Sequence, residues 1–250
     1  MSTNKILVIG GLHGNEPLGV SVVSYLKSFK NNKIDSLYAN PKAIISSKRF
    51  IENDLNRVFP GTSGGTDEQK RAAEILEKCS NYDIVVDFHN TYSKNNNSCF
   101  VGIDANPRLL KVAKFLGLKR VLVADYDCIN KFAPNCISIE ISNSSKLNNP
   151  GIWLKKLNAL YQQDLDEIYP NDLTFYKFEK RVTFDEKLKF DLKNWKNFKK
   201  LSKKDKNRLC LIPNLNYCPV FIDEPAYDYF SGILVETKFL VDNFTTSNFK

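Results

Sequence analysis

Two short apolar runs carry the chain's two histidines at their ends. Lys5-Ile6-Leu7-Val8-Ile9 runs into Gly10-Gly11 and then His13, and Asp83-Ile84-Val85-Val86 runs through Asp87 and Phe88 into His89. A short continuous apolar run closed by small or polar residues predicts a buried parallel strand. Ser36–Ala39, Cys99–Ile103, Val121–Ala124 and Cys136–Ile141 predict further strands. Helical spacing lies between them. Val20, Val23, Leu26 and Phe29 follow Pro17, which suits a first helical turn. Thr66 caps a stretch to Cys79 with Ala72, Ala73 and Leu76 inward; Pro107–Leu116 stops at Gly117; Trp153–Ile168 stops at Tyr169-Pro170. Strands and helices alternate with short links, which predicts an α/β fold with a mostly parallel sheet.

Beyond Asp172 the pattern changes. Runs rich in Val, Phe, Ile and Tyr (Phe175–Phe178, Leu188–Leu192, Leu209–Ile212, Val220–Ile222 and Ile233–Val235) predict a smaller β-rich unit. The division is expected near residue 170, giving a catalytic domain over 1–170 and a β-rich domain over 171–250.

In open α/β sheets ligands collect at the carboxyl ends of the strands, so both histidines land on one rim. Glu16 stands three residues after His13, and one tight loop can aim both side chains at one atom. Two imidazoles and a carboxylate leave a fourth position open, the pattern of a catalytic zinc site with one ion per chain. A glycine-rich turn with a phosphate on its amides fits the same loop. Glu140 lies in Ile137-Ser138-Ile139-Glu140-Ile141, where alternation turns it away from the isoleucines. A carboxylate there is either an edge-strand residue facing water or a general base beside the metal. Ser47–Pro60 carries Arg49, Asp54, Asn56 and Arg57 with little apolar periodicity, which reads as a binding loop or a polar surface loop.

Composition narrows this only in places. Of 250 residues, 42 % are hydrophobic and 26 % charged, ordinary for a globular protein. No run is long enough to cross a membrane. Met1–Lys5 leads straight into the first strand, and the six cysteines form neither a C-x-x-C pair nor zinc-knuckle spacing. Free thiols in a reducing cytoplasm are expected. The net charge is +8, and Lys177–Arg208, with thirteen Lys or Arg against five Asp or Glu, carries the whole excess. That segment reads as a solvated lysine-rich face, a funnel for an anionic substrate, or a nucleic-acid surface in which Trp195 and Phe198 interleave with lysines.

The motifs taken together resemble the aspartoacylase and succinylglutamate desuccinylase family of zinc carboxypeptidase-like hydrolases. Gly10–Glu16 resembles its first metal motif, and Asp87-Phe88-His89-Asn90-Thr91 its second. Ala39-Asn40-Pro41-Lys42-Ala43, then Arg49 and Asp54-Leu55-Asn56-Arg57, resemble its substrate loop. Ile139-Glu140 matches the catalytic glutamate, and Pro219–Tyr227 resembles the aspartoacylase C-terminal segment. The resemblance implies a zinc carboxypeptidase-like fold, with a sheet flanked by helices. It implies His13, Glu16 and His89 as zinc ligands, and Glu140 and Arg49 as catalytic residues, Arg49 polarising the scissile carbonyl. Asn56, Arg57, Tyr126 and Tyr227 are implied to bind substrate. Asn130 and Ser231 stand where the aspartoacylases have an arginine and a lysine.

The expected function is zinc-dependent hydrolysis of an N-acyl amino acid, as aspartoacylase cleaves N-acetylaspartate to acetate and aspartate. Succinylglutamate desuccinylase-like or carboxypeptidase-like hydrolysis is the same-fold alternative. A non-catalytic, basic nucleic-acid-binding protein with structural zinc is the alternative of another class. The expected partner is a small acidic N-acyl amino acid, with no membrane contact and room for a homo-oligomer.

Overall fold

The computed structural model describes residues 3–29, 33–189, 195–224 and 230–239. In chain order the elements are β1 (Ile6–Gly10), α1 (Pro17–Ser28), β2 (Asp35–Tyr38), α2 (Pro41–Ile45), α3 (Asp67–Cys79), β3 (Ile84–Thr91), β4 (Ser98–Gly102), α4 (Arg108–Phe115), β5 (Arg120–Ala124), α5 (Ile129–Phe132), β6 (Cys136–Ser142), α6 (Pro150–Gln162), β7 (Thr174–Thr183), α7 (Phe184–Lys189), α8 (Lys203–Arg208), β8 (Tyr217–Val220) and β9 (Phe230–Phe239). A 3-10 turn over Leu55–Arg57 precedes α3, and another over Leu165–Glu167 follows α6.

The nine strands form one sheet in the order β2-β1-β3-β6-β4-β5-β7-β9-β8. β2, β1, β3 and β6 are parallel, as are β4, β5 and β7. β4 meets β6 antiparallel, and β7, β9 and β8 close the far edge antiparallel. This is the mostly parallel mixed sheet flanked by helices that the pattern predicts. The C-terminal strands extend the same sheet through the β5–β7 ladder, so the change of pattern near residue 170 falls within one continuous sheet.

Strand alternation divides the core between the two faces. Val86, Phe88, Ile137, Ile139 and Ile141 pack on one face against Leu18, Val22 and Leu26 of α1 and Trp153 and Leu157 of α6. Leu7, Ile9, Val85 and Cys136 pack on the other against Ala72, Ile75 and Cys79 of α3 and against Leu55 and Phe59. The α1 stripe is offset from the spacing read in the sequence: Val20 is half-buried and Phe29 exposed. Thr66 caps α3 as expected, its hydroxyl accepting from Gln69 N while Gln69 returns the bond to Thr66 N. Such a cap contributes about 1 kcal/mol.

The C-terminal reading needs correction. Leu188 and its neighbour lie in α7, and the rest of Leu188–Leu192 falls outside the described residues. Leu209–Ile212 is a turn following α8. β8 ends at Val220, before the turn at Phe221, where φ is 53°. The reason is local capping. Thr183 and Glu186 exchange bonds, Glu186 N to Thr183 Oγ1 and Thr183 N to Glu186 Oε2, and so start α7. Ser202 accepts from Asp205 N and starts α8. The helix expected over Trp153–Ile168 begins earlier, at Pro150 behind the Asn149 cap, and ends at Gln162.

Candidate metal centre and active site

β1, β3 and β6 lie side by side, and their carboxyl ends carry the chemistry. The loop after β1 turns at Gly11, where φ is 77°, a conformation that favours glycine. At Gly14 a Cβ would fall on the Ala43 carbonyl of α2, so only glycine lets the loop lie this close. Glu16 N then donates to His13 O at 3.2 Å, and Pro17 opens α1. The turn delivers His13 and Glu16 together, facing His89 on β3.

His13 Nδ1 is 2.7 Å from Glu16 Oε1, His89 Nδ1 is 2.9 Å from Glu16 Oε2, and the two Nδ1 atoms are 3.2 Å apart. All three residues are buried. The outer nitrogens face carboxylates: His89 Nε2 is 2.7 Å from Asp87 Oδ2, and His13 Nε2 is 3.1 Å from Asp54 Oδ1. With Nε2–H donated outward, both Nδ1 lone pairs point at each other and at a carboxylate. Acceptors packed this way repel unless a positive charge lies among them. Burial alone would lower the His89 pKa, but Asp87 and Glu16 push it well above its ordinary value. Burial would raise Glu16, yet the two imidazoles hold it well below the carboxylate range. The cluster could hold a cation: its donors are two imidazole nitrogens and a carboxylate with carboxylates behind both rings, a combination that suits a transition metal.

Glu140 pairs directly with His89 across the β3–β6 ladder, so both face the same cleft. No residue among those described hydrogen-bonds its carboxyl. Desolvation pushes that carboxyl up to about 8; Glu16 and Glu224 add to the push, while His89 and Arg49 oppose it. Arg49 donates from Nη1 to Glu16 and from Nε to Asp54, both at 3.2 Å. Asp54 caps the Leu55–Arg57 turn, and Asn56 Oδ1 accepts from Ile129 N at 3.2 Å. Arg57 donates to Asn56 O at 2.7 Å and lies over the Tyr126 ring at 4.7 Å.

His13, Glu16, Arg49, Asn56, Arg57, His89, Tyr126 and Glu140 therefore line one cleft of about 500 Å³. Tyr227 lies outside the described residues.

The family that the architecture and the cleft suggest is decided by the sequence of the first half. Residues 2–140 match the succinylglutamate desuccinylase/aspartoacylase catalytic domain. The chain belongs to this family. A Nostoc protein described as a probable aspartoacylase is 33 % identical over 129 residues, covering 45 % of this chain and 44 % of that one. An N-acyl-aromatic-L-amino acid amidohydrolase (carboxylate-forming) of Xenopus tropicalis is 33 % identical over 140 residues, covering 48 % and 44 %. The chain thus spans about half the length of the curated relatives it matches. Among solved structures, the Chromobacterium violaceum succinylglutamate desuccinylase superposes with a TM-score of 0.71 at 17 % identity, covering 96 % of this chain and 86 % of that one. Murine aminoacylase 3 superposes with a TM-score of 0.63 at 19 % identity, covering 95 % and 96 %. At those identities the likeness speaks for the fold.

Several members of the site carry no role in the sequence reading. Asp87 and His89 sit two apart on β3, and period-two alternation puts them on one face, so their pairing was legible. Asp54 backs His13 from 41 positions away, with no local spacing to reveal it. Glu224 lines the cleft and accepts from the Thr91 hydroxyl, from Tyr92 N at 3.0 Å and from Ser93 N at 3.3 Å. Asn197 helps tie the same loop, donating to Ser93 Oγ at 2.8 Å and Lys94 O at 2.7 Å.

Asn130 also lines the cleft, but its amide is committed. Nδ2 donates to Phe100 O at 3.3 Å and Cys136 O at 3.2 Å, and Oδ1 lies 3.1 Å from Ser138 Oγ. Lys131 pairs with Asp127 at 2.9 Å and is not among the cleft residues. In the basic segment Phe198 packs edge-on against Tyr176, with ring centroids 4.9 Å apart, and Trp195 packs against the Val182–Leu234 cluster. These aromatic rings are partly buried and do not form an open stacking platform. Among the described residues no helix is long and apolar enough to cross a membrane, and the six cysteines are unpaired.

Proposed function

We propose that the chain is a zinc-dependent amidohydrolase that cleaves the amide of an N-acyl amino acid, releasing a carboxylic acid and a free amino acid. The observation that carries this reading is the register of His89 against Glu140. It sets a carboxyl without a hydrogen-bond partner among the described residues beside a three-donor cluster that could hold a cation and lines a cleft. A structural zinc is normally enclosed by four protein ligands, often cysteine, and the described residues offer three.

His13, Glu16 and His89 would hold the ion. Zinc so held supplies a Lewis acid and brings the pKa of a bound water to about 7. Glu140 takes the proton of the attacking water and delivers it to the departing amine. Arg49, fixed by Glu16 and Asp54, presents its guanidinium where negative charge grows on the carbonyl oxygen. Asn56 and Arg57 receive the carboxylate of the amino acid, which the guanidinium fork can grip through two bonds. Tyr126, beneath Arg57, limits where that fork can point. On this reading residues 1–170 hold the metal and the base, 171–250 contribute the outer wall through Glu224, and Tyr227 is a substrate-binding residue only as the family resemblance implies. The unpaired cysteines support a reducing, cytoplasmic setting.

Elemental analysis together with hydrolysis of a panel tests the proposal. The panel is N-acetylaspartate, N-succinylglutamate, N-acetylphenylalanine and a simple dipeptide. One zinc per chain and cleavage of N-acyl amino acids is the expected result. Cleavage of the dipeptide alone, or no cleavage by zinc-loaded protein, would overturn it.

A further inference from the structure

The sheet face that carries Asp87, His89, Ser138 and Glu140 does not end at β6. Ser138 pairs with Phe100 on β4, Phe100 with Leu122 on β5, and Leu122 with Tyr176 on β7. Directly paired residues share a face, so the polar floor of the metal cleft continues as an apolar floor. Leu122, Tyr176, Phe221 and Val235 are themselves buried and pack as one cluster, and above them lies a second cavity of about 260 Å³ walled also by Phe178 and Ile233. Arg57, Phe100, Tyr126 and Phe221 line both spaces, so the two adjoin. Phe178 and Tyr126, both part-exposed, line this cavity and present their rings to it.

We propose that this second cavity is a subsite for an extended apolar arm of the substrate, about ten carbons long, whose amide lies over the metal cluster. The inference rests on the amidohydrolase reading and adds the substrate class. Length argues for it. From Phe100 on β4 to Val235 on β9 the cavity crosses β5 and β7, three strand spacings or about 14 Å. A saturated chain advances about 1.3 Å per carbon, from C–C bonds near 1.5 Å at the tetrahedral angle. Ten or eleven carbons fill that reach, which favours a fatty acyl group over a single amino-acid side chain. In the metal cleft, Asn130 spends its amide on backbone carbonyls and Glu224 stands in the wall. The charged residues of the second cavity, Arg57, Asp125, Lys177 and Arg181, stand among a predominantly apolar lining of Phe100, Leu122, Phe178, Phe221, Ile233 and Val235. A substrate with one carboxylate and a long apolar arm suits these walls better than a compact dianion.

The test uses the zinc-loaded protein and two substrate series, N-acylglycines from acetyl to dodecanoyl, and N-acetyl amino acids from alanine through leucine to tryptophan. kcat/KM is expected to rise about fourfold per buried methylene and to level near ten carbons. A rise in the acyl series is the expected result, and a rise in the side-chain series alone overturns the long acyl arm. A flat response in both, with acetylated substrates still cleaved, overturns the subsite while the amidohydrolase reading stands. Should no substrate be cleaved, titration of the zinc-loaded protein with dodecanoate and with acetate still decides the matter. Dodecanoate must bind at least 100-fold tighter, and equal affinities overturn the subsite. Ile233→Trp, at a half-buried position in the cavity wall, is expected to shorten the preferred arm by several carbons. An unchanged length preference in that variant counts against the cavity.

Discussion

Two halves of one sheet face show how differently the same backbone can be used. On β3 and β6, side chains at matched positions are Asp87, His89, Ser138 and Glu140, each fixed by a partner or by enforced isolation. On β4, β5 and β7, the same row continues as Phe100, Leu122 and Tyr176. The polar half is a set of directional interactions in which one lost atom leaves others unsatisfied. The apolar half is a surface whose contribution scales with area and has no preferred direction. Substitutions should therefore act in an all-or-none way on the first half and by degrees on the second.

The sharpest break is His89→Ala. On the proposed site it removes one of three metal ligands and leaves Asp87 buried beside a cavity, so zinc and turnover should vanish together. A variant that keeps one zinc per chain by elemental analysis sinks the site as drawn. Glu140→Gln comes next. It should keep the metal and lower kcat by about 100- to 10,000-fold, because an amide cannot accept the proton.

The same variant reads the electrostatics. In metal-free protein the Glu140 carboxyl stands near 8, above its unfolded value of 4.5. Between those values the folded chain holds the extra proton, so unfolding free energy falls as pH rises. Glu140→Gln abolishes that loss. Melts in chelator should show the variant gaining on the parent from pH 5 to 8, with no gap below pH 4. Parallel curves would mean that Glu140 is well solvated.

Smaller still is Asp87→Asn, which keeps the shape but removes the charge behind His89. Zinc affinity should fall about 10- to 100-fold, measured by competition with a chelator. The smallest effect belongs to the apolar half. Phe178→Ala, at a half-exposed strand position, should shift stability by less than about 1 kcal/mol. A loss as large as that of a fully buried core residue would show that the apolar half is packed core and not open floor.

How much of this could be read from the chain alone follows the same divide. The gathering of His13, Glu16 and His89 was legible because each histidine follows an apolar strand run and Glu16 stands three residues after His13, and the position of Glu140 because alternation turned it from Ile139. The sheet's central order was legible in outline from short apolar runs. Asp54 behind His13 was not, since its approach depends on the turn at Leu55–Arg57 packing under the first loop. The apolar floor was not, since Phe100, Leu122 and Tyr176 come from three separated strands and become a surface only through register. The C-terminal helices are hidden in the sequence by the aromatic content around them, and the local signal for α7 is the Thr183-x-x-Glu186 capping pattern. Asn130 was read as a lost arginine, whereas its buried amide is a fixture of the framework. Arginine there should cost several kcal/mol of stability rather than improve the fit of a second carboxylate.

The Glu224 clamp gives the site a history as well as a shape. Residues 13, 16 and 89 leave the ribosome early, whereas the carboxylate that ties the loop after β3 to the outer wall comes from residue 224. At ordinary translation rates the interval between His89 and Glu224 is roughly 7 to 27 seconds. Throughout that interval a nascent chain carries every ligand for the ion and none of the wall that encloses the substrate. On the proposed function, metal capture can thus precede catalytic competence during synthesis, and the unfinished chain would bind zinc before it could hydrolyse an amide.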